Sequence, residues 1–394
     1  GNNLDEDGGK SHTETLAWEN DYTKLEISKT DITGEAEIPG AQMQILDEAG
    51  TVVYEWTSTQ EPHRIDRIPA GKYTLIEVQA PAGFVRASEI EFIVEETGEV
   101  QTVEMTDKQV IVSKKAVTGE EELPGAELTV TDTEGNVVDS WISGEEPHAV
   151  SGLVVGQAYT LTEVTAPEGY AIATAIEFTV EDDGKIQQIE MIDKQVIVSK
   201  RTITGEDELP GAELTVTDAE GNVVDSWISG EEPHSVSGLT VGQTYTLTEV
   251  TAPEGYAIAT SIEFTVEDNG EIQQVTMIDK RILVVKVDTS ITGLAGAELE
   301  VRDTEGNVID AWTSDGTPHA VSGLKVGESY VLVETKAPDG YAIASEIPFT
   351  VADDAEDAEI SLVNKQVLVH KTDVTGTEEL EGAFMEVRDA EGNV

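Results

Sequence analysis

The chain has 394 residues, with 79 Asp and Glu against 23 Lys and Arg, giving a formal net charge of −56. Such an excess of negative charge repels polyanions, which argues against nucleic acid and anionic membrane surfaces as partners. The absence of cysteine excludes disulfides and thiolate chemistry, and no apolar run approaches the length of a membrane span.

Residues 1–11 are rich in Gly, Asn and Asp and read as disordered or as a remnant loop. Leu16, Trp18 and Asn20 then alternate, like the last strand of a preceding domain. From there one pattern recurs. The lysines Lys29, Lys114, Lys200, Lys286 and Lys371 are spaced by 85, 86, 86 and 85 residues, and 114–193 differs from 200–279 at only 13 of 80 positions. A period this long exceeds a solenoid repeat and suits small domains in series, like beads on a string.

Within the first repeat, Leu25, Ile27 and Lys29 alternate, and Ile38-Pro39-Gly40-Ala41 turns into Met43-Gln44-Ile45. Asp47-Glu48-Ala49-Gly50 reads as a hairpin turn before a strand through Tyr54 and Trp56. Pro62-His63 falls in a loop. Strands at Tyr73–Glu77, Ile90–Val94 and Val103–Asp107 complete the repeat. About seven short strands with frequent turn signals and no helical period predict an all-β, Ig-like two-sheet sandwich. The expected boundaries are 1–20 (a remnant whose last strand is 15–20), 21–107, 108–193, 194–279, 280–364 and a truncated fifth start, 365–394, of about two strands. Only Lys108-Gln109 separates the strand ending at Asp107 from the one beginning at Val110, so bending between neighbouring domains should be limited. The pattern starts and stops mid-repeat, so the sequence reads as a fragment and the lack of a targeting signal decides nothing.

Three polar positions break the alternation. A strand points successive side chains to opposite faces, so Lys29 shares a face with Leu25 and Ile27, and Asp107 shares one with Val103 and Met105. In the second repeat Glu163 follows Tyr159 and Leu161 on the inward parity. The sets are Lys29/Glu77/Asp107, Lys114/Glu163/Asp193, Lys200/Glu249/Asp279 and Lys286/Glu334/Asn364. Charged residues are rarely fully buried unless paired. Three readings remain open: strand ends reaching solvent, a buried ion cluster, or covalent chemistry. For the last, burial raises a carboxyl pKa and lowers an amine pKa. A neutral amine is a nucleophile, a protonated Asp or an Asn is an electrophile, and a neutral Glu can shuttle the proton. The product would be an intramolecular Lys–Asp or Lys–Asn isopeptide bond, made once and without turnover. Asn20 and Lys371 would be unreacted, their partners lying outside the chain.

The pattern Thr-Gly…Leu-Pro-Gly-Ala-Glu-Leu…Glu-Gly-Asn-Val…Tyr-Thr-Leu-Thr-Glu-Val-Thr-Ala-Pro-Glu-Gly-Tyr…Ile-Glu-Phe-Thr-Val, with the Lys before and the Asp after, resembles the collagen-adhesin B-type (CnaB, SpaA-like) domains of Gram-positive surface proteins and pilins. The resemblance spans nearly everything beyond residue 20. It implies a transthyretin-like sandwich whose first and last strands are joined by an isopeptide bond, with Glu77, Glu163, Glu249 and Glu334 assisting. It also implies a cell-wall-associated location on a Gram-positive bacterium. The fourth repeat departs by using Asn364, which the family also allows, and the first has Phe84 where the others have Tyr. No Tyr-Pro-Lys-Asn-like segment of the kind used in pilin polymerisation is present.

The expected function is a structural stalk, neither an enzyme nor a cofactor protein. Its partners are neighbouring domains of the same chain and, through missing regions, a host or matrix ligand. The rivals are an adhesin that binds through repeated weak sites and a spacer for a surface enzyme. Trp56, Trp141, Trp227 and Trp312 read as packing residues. His63, His148, His234 and His319 read as structural loop contacts, since a lone His per repeat makes a poor metal site. The acidic runs Glu181-Asp182-Asp183 and Asp353-Asp354 read as loop tips, with calcium as the alternative.

Overall fold

The computed structural model describes residues 23–394, and among them there is no helix. The expectations for Asn20 and for a strand at 15–20 lie outside the described residues. Each of the four repeats forms seven strands. In the first these are β1 (Lys24–Asp31), β2 (Gln42–Asp47), β3 (Val52–Thr57), β4 (His63–Ile65), β5 (Gly71–Gln79), β6 (Ile90–Val94) and β7 (Val100–Asp107). They make a three-stranded sheet, order β4-β1-β7, and a four-stranded sheet, order β3-β2-β5-β6; the other repeats have the same two sheets. The alternation explains the layers. Leu25, Ile27, Met43, Ile45, Leu75 and Met105 are buried between the sheets, and fully burying each such side chain is worth roughly 1.5–3 kcal/mol.

First and last strands pair in parallel, with Lys29 opposite Met105 and Asp31 opposite Asp107. A parallel pair cannot be joined by a tight turn, and here the whole of the repeat forms the connection. The described residues divide into two compact units. One comprises the described residues up to Pro167 with Ala173–Asp193, and the other Glu168–Ile172 with Lys194–Val394.

Inside the first unit, the turn after β5 reaches the second repeat. The Gly83 N–H donates to Ser151 Oγ at 2.9 Å and the Arg86 N–H to the Leu153 carbonyl at 2.8 Å, while Val85 enters the second repeat's core. Gly83 has φ of 80°, and a Cβ there would stand 3.2 Å from the Ala149 Cβ, so both the turn and the close approach require glycine. In the second unit Gly255, Ile258 and Ala257 make the same contacts with Ser322, Leu324 and the fourth core.

Two expectations are corrected. The histidines lie in short strands, not loops: His63 in β4, and His148, His234 and His319 in two-residue strands paired with the first strand of their repeat. The segment after Asn364 forms no strands, only bridges of Gln366 with Tyr341 and Thr372 with Glu379. Its apolar residues Val367, Leu368, Val369 and Phe384 are exposed, because a strand needs a neighbour to satisfy its backbone and cover its apolar face.

Candidate functional site

The parallel register of β1 and β7 puts Lys29 and Asp107 two positions apart on one inward face. Glu77 comes from β5 in the facing sheet, at a bulge: Glu77 opposes Met43 and Gln79 opposes Gln42, leaving Val78 as the extra residue. The same shift follows Glu163, Glu249 and Glu334. Regular alternation already points each glutamate inward, and the bulge that follows ends that alternation, since a bulge re-aims the residues beyond it.

All four predicted sets come together, and all twelve residues are buried, none more than 5 % exposed. Each lysine Nζ contacts its partner's Oδ1: Asp107, Asp193, Asp279 or Asn364. The glutamate Oε1 stands 3.2, 3.0, 2.9 and 3.2 Å from Lys29, Lys114, Lys200 and Lys286. The other glutamate oxygen accepts a backbone N–H, from Ala87 at 2.8 Å, Ala173 at 2.7 Å, Ala259 at 2.7 Å and Ala344 at 2.6 Å. That bond fixes the carboxyl and leaves Oε1 facing the amine.

The fourth repeat shows how the acid or amide faces the glutamate. Asn364 Nδ2 donates to Glu334 Oε1 at 2.9 Å. In the other three, Asp Oδ2 and Glu Oε1 are both buried without a hydrogen-bond partner. One proton placed between these two oxygens would do there what the amide hydrogen does in the fourth. The electrostatics favour it: burial, opposed by the lysine and reinforced by the neighbouring glutamate, pushes Asp107, Asp193 and Asp279 up to about 7. Burial also lowers the Lys286 amine from its ordinary value, against the opposing pull of Glu334. The site can therefore hold an amine beside a carbonyl whose hydroxyl or amide points at a carboxyl.

The sequence reasoning missed a supporting residue. Glu37, Glu122 and Glu208 accept the backbone N–H of Lys29, Lys114 and Lys200 at 2.7, 2.8 and 2.8 Å. The signal was an acid eight residues after the lysine in three repeats; in the fourth Leu294 takes the place of Ile38, Leu123 and Leu209, and Gly293 stands where the acid would be. Lys371 is exposed and pairs with no carboxylate among the described residues.

The other recurring residues form a separate cluster. Trp141 stacks on His148 with ring centroids 4.1 Å apart, and His148 Nε2 lies 3.0 Å from Asp139, which also accepts the Ser151 N–H. The third and fourth repeats match it with Trp227/His234/Asp225 and Trp312/His319/Asp310. The first has Tyr54 in place of the Asp, and burial lowers the His63 pKa.

A family model described as SpaA, prealbumin-like fold domain, matches four times, at residues 23–109, 108–195, 194–281 and 280–366. Among solved structures, the chain is similar to the shaft pilin SpaA of Lactobacillus rhamnosus GG, at 14 % identity over 45 % of this chain and 98 % of that one, TM-score 0.25. It is similar to the Bacillus anthracis TIE protein at 18 % identity over 90 % and 76 %, TM-score 0.22. It is also similar to BcpA, the major pilin subunit of Bacillus cereus, at 14 % identity over 86 % and 99 %, TM-score 0.23. Comparison with curated proteins finds no match.

Proposed function

Because the chain belongs to the SpaA prealbumin-like domain family and carries four of its domains in tandem, we propose that it is a stalk of a Gram-positive surface protein, each domain locked by its own isopeptide bond. In this reading the domains are 21–107, 108–193, 194–279 and 280–364. The observation that carries it is the fourfold recurrence of a buried lysine amine against an acid or amide, with a glutamate touching both. The lysine nitrogen attacks Cγ. In the first three domains the bond to Oδ2 breaks and water leaves; in the fourth the bond to Nδ2 breaks and ammonia leaves. Glu77, Glu163, Glu249 and Glu334 face the leaving atom and return the amine's proton to it. Rigid strands hold the groups together, and such positioning can supply roughly 7–11 kcal/mol of the barrier.

A bond from first to last strand suits a stalk. Tension entering at Lys114 would leave at Asp193 without unfolding what lies between. The loop it closes spans 79 positions, and a cross-link of that length contributes about 4.5 kcal/mol on the chain-entropy model. The intact mass tests the reading: it should fall short of the sequence mass by three waters and one ammonia. An unmodified mass would reduce the sites to buried ion clusters.

The pH dependence of bond formation should differ among the domains. The reactive state needs a protonated Asp, and that proton is lost as pH rises through about 7. The attacking amine must also be neutral, and its proton is lost in the same direction, so in protein kept unfolded after synthesis and then folded at a series of pH values the cross-linking rate of the first three domains should level off above that point. Asn364 has no acid proton to lose, and higher pH favours a neutral Lys286, so its rate should keep rising where theirs levels off. Peptide mapping over time reads each bond; four identical profiles would refute the assigned protonation states.

A further inference from the structure

A second set of lysines directly follows the reacting acids. Lys108 Nζ donates to the Glu181 carbonyl at 2.7 Å and to Asp183 at 3.0 Å, so the lysine after Asp107 is latched into the second repeat. Lys280 donates to the Ala352 carbonyl at 3.0 Å and to Asp354. Both lysine side chains are 5 % exposed. The equivalent lysine in the third repeat is Lys194, but the position matching Asp183 and Asp354 is Asn269. Lys194 reaches instead for the preceding, more exposed Asp268, at 3.2 Å, and its side chain is 13 % exposed.

Asn269 is followed by Gly270, and no other asparagine of the chain precedes glycine: Asn136, Asn222 and Asn307 precede valine. The surrounding turn matches that of Asp183. The Glu271 N–H donates to Asn269 Oδ1 at 3.1 Å, as the Lys185 N–H donates to Asp183 Oδ1 at 3.1 Å. Asn269 Nδ2 donates to Glu267 at 2.6 Å. The side-chain carbonyl is thus polarised by a backbone donor, its amide nitrogen is held by a carboxylate, and the next backbone nitrogen has no side chain beside it.

We propose that Asn269 is a self-modification site, converted by its own backbone into the carboxylate that the second and fourth repeats already carry at their lysine latch. The Gly270 nitrogen loses its proton to solvent and attacks Asn269 Cγ. The Glu271 N–H stabilises the oxyanion that develops on Oδ1. The bond from Cγ to Nδ2 breaks, and the amide nitrogen takes up a proton and leaves as ammonia. Water then opens the cyclic imide, giving an aspartyl or isoaspartyl residue, each with a free carboxylate. The balance is asparagine plus water to acid plus ammonia, with no oxidant or cofactor. The aspartyl product places an anion where Lys194 can bind as Lys108 binds Asp183, so this latch closes after folding.

The whole folded protein, held in mildly alkaline buffer made with 18O-water, tests this by peptide mass spectrometry over days. The acid form and its label should accumulate at Asn269, faster as pH rises, while Asn136, Asn222 and Asn307 stay amides. Gly270→Ala should slow it several-fold; a Cβ there meets nothing within 4 Å, so that variant folds. The latch has its own readout. Lys194 should react several-fold more slowly with an acetylating reagent in Asn269→Asp than in Asn269→Gln, with Lys108 unchanged between the two. An Asn269 as durable as Asn222 would overturn the proposal, and so would equal Lys194 reactivity in the two variants. Neither readout depends on the isopeptide bonds.

Discussion

Glu163→Gln should return one water to the mass of the protein and leave two waters and one ammonia missing. The substitution is conservative in shape. A glutamine oxygen can still accept the Ala173 N–H that Glu163 accepts at 2.7 Å, so the bulge and the fold should persist. What it loses is the carboxyl that carries the amine's proton to Asp193 Oδ2. Without it the leaving oxygen must depart as hydroxide into a buried site that is 0 % exposed at Asp193, which is prohibitive in low dielectric. Glu77, Glu249 and Glu334 serve other lysines, and the sites share no reacting group, so the effects should be independent. Peptide mapping should find Lys114 and Asp193 in separate peptides and the other three pairs joined. A Glu163→Gln protein that still lost the full complement would leave the bonds but remove the glutamate from their chemistry.

Lys114→Met should destabilise the second repeat more than any other single side-chain change in it. Methionine fills most of the lysine's space but cannot form the bond. Two terms add. The cross-link is gone, about 4.5 kcal/mol by chain entropy. Asp193, an amide in the cross-linked parent, is also left as a free buried carboxyl beside Glu163 with no cation, and an uncompensated buried charge costs about 3–5 kcal/mol. The second term depends on pH. Asp193 is already raised well above its ordinary value of 3.8 by burial, and Lys114 is the group that lowers it; without the lysine it rises further. A carboxyl whose folded pKa exceeds its unfolded one binds more protons in the folded state, so stability falls as pH rises from the unfolded value through the folded one. The variant's second repeat should therefore be least stable at neutral pH and recover in mild acid. Thermal unfolding with limited proteolysis reads this directly, with cleavage expected first within 110–193. A variant as protease-resistant as the parent at neutral pH would show that neither bond nor cation matters there.

The strands and the inward sets were legible because alternation is local. Lys29 after Leu25 and Ile27, or Glu163 after Tyr159 and Leu161, declares its face within a few residues, and repetition in four copies separates a rule from an accident. The period and the seven strands per repeat follow from the same short-range signals. What brought Lys114 to Asp193 was pairing across 79 positions, which no local pattern specifies. The parallel register of first and last strands decided that they meet, and the packing of one sheet against the other decided that Glu163 meets the lysine. Lys108 looked like a connecting residue because its carbonyl and carboxylate partners lie more than 70 positions away. The histidines looked like loop residues because a two-residue strand exists only through the neighbour it pairs with. The segment after Asn364 makes the converse point: its alternating residues form no strand without a sheet to join, since backbone hydrogen bonds and apolar cover come from the partner and not from the sequence of the strand itself.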